Sequence, residues 1–185
     1  MHYTALRTLE TPRLTLRRLR ESDLSEYHLL CGSTAVCRYM LFVPHGSLDE
    51  SRESLNRVLS FYEAPDFYRW AIARKEDDRL IGVISLLRFD ETQSSCSFAY
   101  MLRPDCWNQG FGTESLKAVF RFAFGEMGID RITADHMAAN PASGAVMRKA
   151  GMTRTGILPG QYRKDGETHD AVCYEIRKED FHDGQ

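Results

Sequence analysis

The chain has 185 residues, 43% of them hydrophobic and 27% charged, which fits one well-buried core and is short for two. Its 24 basic and 26 acidic residues leave a formal net charge of −2, without the basic surplus of a nucleic-acid or anionic-membrane binder. The opening MHYTALRTLE lacks an apolar signal core, and no stretch approaches the ~18 apolar residues of a membrane span, so a cytoplasmic protein is expected.

No repeat or Pro/Gly linker interrupts the sequence, so it reads as one domain over residues 1–185. RLTLRRLR at 13–20 alternates as a first strand, with Arg13, Arg17, Arg18 and Arg20 read as its solvated face. Asp23 and Glu26 open a short helix, and Ser47 with Glu50 forms a capping box before a helix carrying Leu55, Val58, Leu59 and Tyr62 on one stripe. Two strands follow within 67–88 around the polar turn KEDDR, and a third at 94–103. After the loop PDCWNQGFGTES comes a helix with Leu116, Val119, Phe120, Ala123 and Phe124 on one face. Residues 130–137 form a strand, Asn140 and Pro141 start another helix, and Gly151 stops it. The tail holds a strand near 153–158, a polar loop GQYRKDGETHD, and a last strand through Val172, Tyr174 and Ile176. The class is α/β, with a mixed, mostly antiparallel sheet of about six to seven strands and helices on both faces. The five cysteines form no CxxC pair and the six histidines no HxxxH spacing, so no metal site is expected.

The loop before the second long helix holds the most chemistry. Consecutive backbone amides and a helix N-terminus together suit a phosphate, and Gly110 and Gly112 would let it approach without a Cβ in the way. Thr113 adds a hydroxyl at the helix start, and Asn108 and Gln109 flank the loop. It is neither a GxxxxGK[ST] P-loop nor a three-glycine dinucleotide fingerprint. By itself it also fits a tight turn. Asn140 and Ser143 open the next helix, and if the strands before the two helices are neighbours, both helix starts face one crevice at the sheet edge.

TPRLTLRRL, YMLRPDCWNQGFGTESL, ADHMAANPASGAVMRKAGM and the ending DGETHDAVCYEIRKEDF together resemble the GCN5-related N-acetyltransferases (GNATs), over a core of about residues 11–181. The branch they resemble acetylates the N-terminal amines of ribosomal proteins. The resemblance implies acetyl-coenzyme A as donor and an amine acceptor, either a peptide N-terminus or a small amine, in a monomer or homodimer. It places the pyrophosphate on the amides of Asn108, Gln109, Gly110, Phe111, Gly112 and Thr113. The pantetheine arm should pair with the strand at Met101 and Leu102, where an N–H can stabilise oxyanion charge. Asn140 and Ser143 would lie beside the arm and the thiol.

Three departures bear on catalysis. Ser97 stands where several relatives carry a strand Glu, Gln161 where the ribosomal-protein enzymes offer a tail Glu, and Met147 where others have a tyrosine acid. An ammonium must lose a proton before attack, and Asp135, at the strand end, can take it through a water. His136 would point to the opposite side of the strand, so at most one of the two faces the acceptor. Both also fit a solvated Asp and a core His. Ser143 is the candidate donor to the thiolate, with Tyr162 and Tyr174 as alternatives. The rival readings are a small-molecule amine acetyltransferase and a non-catalytic acyl-coenzyme A-binding module.

Overall fold

The sheet begins with two short strands. In the computed structural model, which describes residues 3–182, β1 (Leu9–Glu10) and β2 (Leu14–Arg17) lead into α1 (Leu24–Cys31), α2 (Thr34–Cys37) and α3 (Leu48–Phe61). An antiparallel meander follows: β3 (Tyr68–Arg74), β4 (Leu80–Asp90) and β5 (Ser95–Leu102). Then come α4 (Phe111–Gly125), β6 (Arg131–Met137), α5 (Pro141–Lys149), β7 (Thr153–Lys164) and β8 (Glu167–Arg177). Residues 1–2 and 183–185 of the expected domain lie outside the described residues. The lateral order is β1-β2-β3-β4-β5-β6-β8-β7. Neighbours are antiparallel except for β5 and β6, which run parallel.

Eight strands stand among the described residues rather than six or seven, because β1 is a two-residue edge whose Leu9 pairs with Leu16. A strand that short carries no period to read. Leu14, Leu16, Trp70, Ile84 and Phe98 pack against α4 on one face of the sheet. Leu30, Leu55, Ala71 and Val83 join α1 and α3 on the other. Each fully buried large apolar side chain contributes about 1.5–3 kcal/mol over its exposed state. Among the described residues no helix is long and apolar enough to cross a membrane.

Two expectations change. Arg17 is not on a solvated face: it is 4% exposed, and its guanidinium donates to both Asp23 carboxylate oxygens at 2.9 Å and to Asp78 Oδ1 at 2.9 Å. The paired carboxylates make that burial tolerable and raise the Arg17 pKa, the Asp23 hydrogen bond being the chief cause. Residues 160–170 are not a loop but the far half of a β7–β8 hairpin, in register from Tyr162–His169 to Lys164–Glu167. Its turn is Asp165–Gly166, both at positive φ (52° and 82°), as a tight two-residue hairpin needs.

Candidate active site

The sheet is split at one place. β5 and β6 pair only from Ser95–Arg131 to Ser97–Thr133, yet β5 runs on to Leu102 and β6 to Met137. Beyond Ser97 the two strands therefore leave a crevice between them. On the β4 side of β5, Arg103 N–H donates to the Ile81 carbonyl, and the alternation of an antiparallel ladder assigns the polar backbone of Met101 to β4 as well. The groups turned to the crevice belong to Phe98, Tyr100 and Leu102. Leu102 C=O already accepts from the Trp107 indole at 2.8 Å. The Met101 side chain, meanwhile, packs toward α1 and α3. Of the two strand residues read from the sequence, Leu102 thus presents its amide to the crevice and Met101 does not.

The glycine loop caps one end of this crevice. Asn108 (φ 58°) and Gly110 (φ 84°) are left-handed, and Gly110 is the N-cap of α4. Left-handed residues in a tight loop turn neighbouring N–H groups toward one point, and the helix start adds the amides of Phe111, Gly112 and Thr113. The two glycines differ. A Cβ on Gly110 would have only the Arg13 guanidinium near it, at 3.2 Å. One on Gly112 would meet Val146 Cγ1 at 3.3 Å, Leu102 Cδ1 at 3.4 Å and Tyr100 Cε2 at 3.5 Å. Gly112 is therefore held by close packing of α4 on α5 and β5. Arg13 donates to Gln109 C=O at 2.9 Å and pairs with Glu114 at 2.7 Å, which fixes the loop to β2.

α5 opens over the same crevice. Asn140 occupies its N-cap without a side-chain cap hydrogen bond, which leaves the amide group uncommitted there. Ser143 lies in the first turn beside Tyr100, whose phenol is pushed up by burial, with a hydrogen-bonding contact to Ser143 opposing. The sequence marks Tyr100 only as one of an alternating series, so its place at the crevice comes from the register of β5.

Asp135 and His136 leave β6 on opposite sides. Asp135 shares a face with Ser97 and Cys173, away from α5. Its carboxyl is 28% exposed, with Arg88 Nη1 at 3.9 Å. Burial raises its pKa, and Arg88 and His136 pull the other way. His136 is buried against α5: Nδ1 donates to Met137 C=O at 2.8 Å, and Nε2 has no partner among the described residues. An added Cβ on Gly144 would come within 2.6 Å of that nitrogen and 2.8 Å of Tyr174 Oη. Tyr174 is a buried tyrosine whose hydroxyl accepts from Arg148 at 2.9 Å, whereas Tyr162 stands out on the β7–β8 hairpin. Ser97 is satisfied by Leu87 C=O at 3.1 Å, Gln161 is exposed on the hairpin, and Met147 is in the core.

The comparisons agree with this architecture. The model of the Acetyltransferase (GNAT) domain matches residues 13–153. YoaA of Bacillus subtilis (strain 168), an uncharacterized N-acetyltransferase, is 26% identical over 170 residues, covering 92% of this chain and 96% of its own. Among solved structures, a GNAT-family acetyltransferase from Bacillus anthracis superposes with a TM-score of 0.84 at 22% identity, over 94% of this chain and 99% of the other. Spermidine N-acetyltransferase from Vibrio cholerae, in complex with CoA and spermine, gives 0.78 at 21% identity, over 92% and 98%. With a family model spanning most of its length on a sheet split in this way, the chain belongs to the GNAT acetyltransferases and is an N-acetyltransferase, EC 2.3.1.-.

Proposed function

We propose that acetyl-coenzyme A binds along the crevice between β5 and β6 and that its acetyl group passes by direct attack to a primary amine. The observation that carries this reading is the end of pairing at Ser97–Thr133, with the glycine loop and the start of α5 over the opened edge. The amides of Asn108 to Thr113 would hold the pyrophosphate, and the free backbone of Tyr100 with the Leu102 N–H the pantetheine arm. Asn140 and Ser143 would flank the arm and its thiol. The coenzyme supplies the activated acetyl group, and the rest is proton management by the chain.

Asp135 receives the ammonium proton, directly or through a water. Burial makes its carboxylate a stronger base than an exposed one, which favours that role. Ser143, backed by the Tyr100 phenol, donates to the departing sulfur. His136 sits on the far side of the strand, with its Nε2 buried toward α5 and without a partner among the described residues, so it does not meet the amine. The acceptor is a primary amine, and a peptide α-amine suits the mouth well. The β7–β8 hairpin there mixes Arg163 and Lys164 with Asp165, Glu167 and Asp170. Lys164 at its tip comes close enough to α2 to lower the Cys37 thiol against the rise that burial causes.

The test is release of free thiol from acetyl-coenzyme A by the purified protein across a panel of peptides and small amines. Thiol release above the coenzyme-only background, with acetylated amine found by mass spectrometry, is expected. Coenzyme binding with no transfer to any amine would replace this reading with a non-catalytic acyl-coenzyme A-binding module.

A further inference from the structure

Not every arginine around the sheet has a carboxylate partner. Arg17 is held by Asp23 and Asp78, Arg13 by Glu114 and Arg103 by Asp105. Arg69, on β3, is half-buried and donates through Nε to Ser85 Oγ at 2.9 Å. Its guanidinium lies 5.7 Å from the centre of the Phe67 ring. Among the described residues, no carboxylate is within ion-pair distance of it. The N–H groups of both Nη atoms are unspent, a fork matched to a carboxylate. Arg69 and Ser85 line a cavity of about 340 Å³ together with Arg88, Phe67 and Asp66. That is within the size range of small-molecule sites.

The cavity is continuous in charge with the acceptor side of the crevice. Arg69, Ser85 and Ala99 stand opposite one another across β3, β4 and β5, on the same face as Ser97 and Asp135. Arg88 sits at an irregularity of β4, with φ 53°, and reaches Asp135 at 3.9 Å. It is thus a second cation between the cavity and the proposed base. Ser85 on β4 and Asp135 on β6 are two strand spacings apart, the second widened by the crevice, so their backbones stand at least about 10 Å apart. Asp66 on the cavity rim opposes an anion, but it is exposed and well hydrated.

We infer that Arg69, Ser85 and Arg88 form an anion subsite, and that the acceptor is a primary amine carrying a carboxylate at the far end of a short chain. This deepens the transferase reading and rests on it. The carboxylate takes the free fork of Arg69 and the Ser85 hydroxyl while the amine end lies at Asp135. The same chemistry has two sources: a free ω-amino acid, or an acidic side chain near the N-terminus of a peptide. A polyamine, by contrast, would bring an ammonium against two guanidiniums.

The experiment compares 6-aminohexanoate, hexylamine and 1,6-diaminohexane as acceptors for the full-length protein, with the C-terminally amidated peptides Ala-Gly-Glu and Ala-Gly-Gln as a second arm. Charge-assisted hydrogen bonds predict a preference of about 10- to 100-fold in kcat/KM for the carboxylate over hexylamine. Arg69→Met should collapse that ratio, and Arg69→Lys should restore part of it, with melting temperatures confirming that both fold. A larger Glu-over-Gln ratio in the peptides assigns the subsite to a peptide side chain, and a larger ratio among the free amines to a small amino acid. Hexylamine or the diamine used as well as 6-aminohexanoate overturns the subsite and leaves the transferase standing. Should no amine be acetylated, calorimetric titration of 6-aminohexanoate into the coenzyme A complex decides. Binding lost in Arg69→Met supports the subsite, and no binding by the wild type overturns it.

Discussion

Replacing Asp135 by Asn separates chemistry from stability, because the two respond with opposite sign. The variant keeps size and shape but accepts no proton, so turnover should fall about 10²–10⁴-fold, or about 3–5 kcal/mol of barrier. Stability should not fall with it. Among the described residues the only ion pair lost is to Arg88 at 3.9 Å, beyond hydrogen-bonding distance and on a side chain 73% exposed, and such pairs are worth about 0–1 kcal/mol. Against that loss stands relief of a charge that burial disfavours. A carboxyl with a raised pKa binds its proton more tightly folded than unfolded, so the wild type loses stability as pH climbs from the ordinary carboxylate value through the raised one. The Asn variant lacks that decline. The variant should therefore melt at an equal or higher temperature at neutral pH, and its advantage should vanish below the ordinary carboxylate pKa. In the wild type, kcat/KM should drop as acid protonates Asp135, and this limb should be missing from the variant. The assays are thiol release at several pH values and thermal melting of both proteins, with calorimetry confirming unchanged coenzyme binding. Turnover within about threefold of wild type would refute the assignment and point to an amine already deprotonated on arrival.

Three further substitutions test the glycine loop, its packing and the buried ion pair of β2. Gly110→Ala forces a side chain into left-handed backbone at about 1–2 kcal/mol and should weaken acetyl-coenzyme A about tenfold by calorimetry in a folded protein. Gly112→Val should instead lower stability by about 1–3 kcal/mol in denaturant melts, since its methyls meet Val146, Leu102 and Tyr100. Arg17→Met leaves Asp23 buried without its partner and should cost about 3–5 kcal/mol in the same melts. Spermidine should be a poor acceptor beside short peptides with small N-terminal residues, measured as turnover over the coenzyme-only background. A tenfold advantage for spermidine would overturn the peptide preference.

What the sequence discloses here depends on whether a residue answers to a local rule. The helix after the glycine loop and the strand–helix unit at 130–149 follow from apolar spacing, and the structure has α4, β6 and α5 there. Ser47 accepts from Glu50 N–H as a capping residue should, although Glu50 returns its bond to Gly46 rather than to Ser47. The far half of the β7–β8 hairpin, residues 160–170, has no buried side chain on either face, so no apolar alternation marks it. Its signal is the Asp165-Gly166 dipeptide, which outweighs the polarity that suggests a loop. Arg17 looks solvated within RLTLRRLR because its partners stand outside the strand: Asp23 comes back on the turn six residues on, and Asp78 lies 61 residues away. Tyr100 and Arg69 take their places through strand register and Arg88 through the irregularity of β4, neither of which has a short-range signature. Asp135 and Ser143 are nameable from motif position, but which side of β6 faces the amine depends on where α5 packs.

The split in the sheet also acts as a sieve on what can enter. A free strand edge in the middle of a protein invites another β-strand, and that invitation is the usual route to aggregation. Here α4 and α5 pack over one face of the gap, and Tyr100 and Ser143 stand at its rim. An intruding polypeptide would bring side chains alternately above and below the sheet, and every second one would collide with those helices. The pantetheine arm has its own amide groups, and its segment toward the thiol is unbranched, so there it brings no such alternating projections. The protein can therefore keep hydrogen-bonding edges open at its centre: a slender ligand passes where a neighbouring protein chain is too wide.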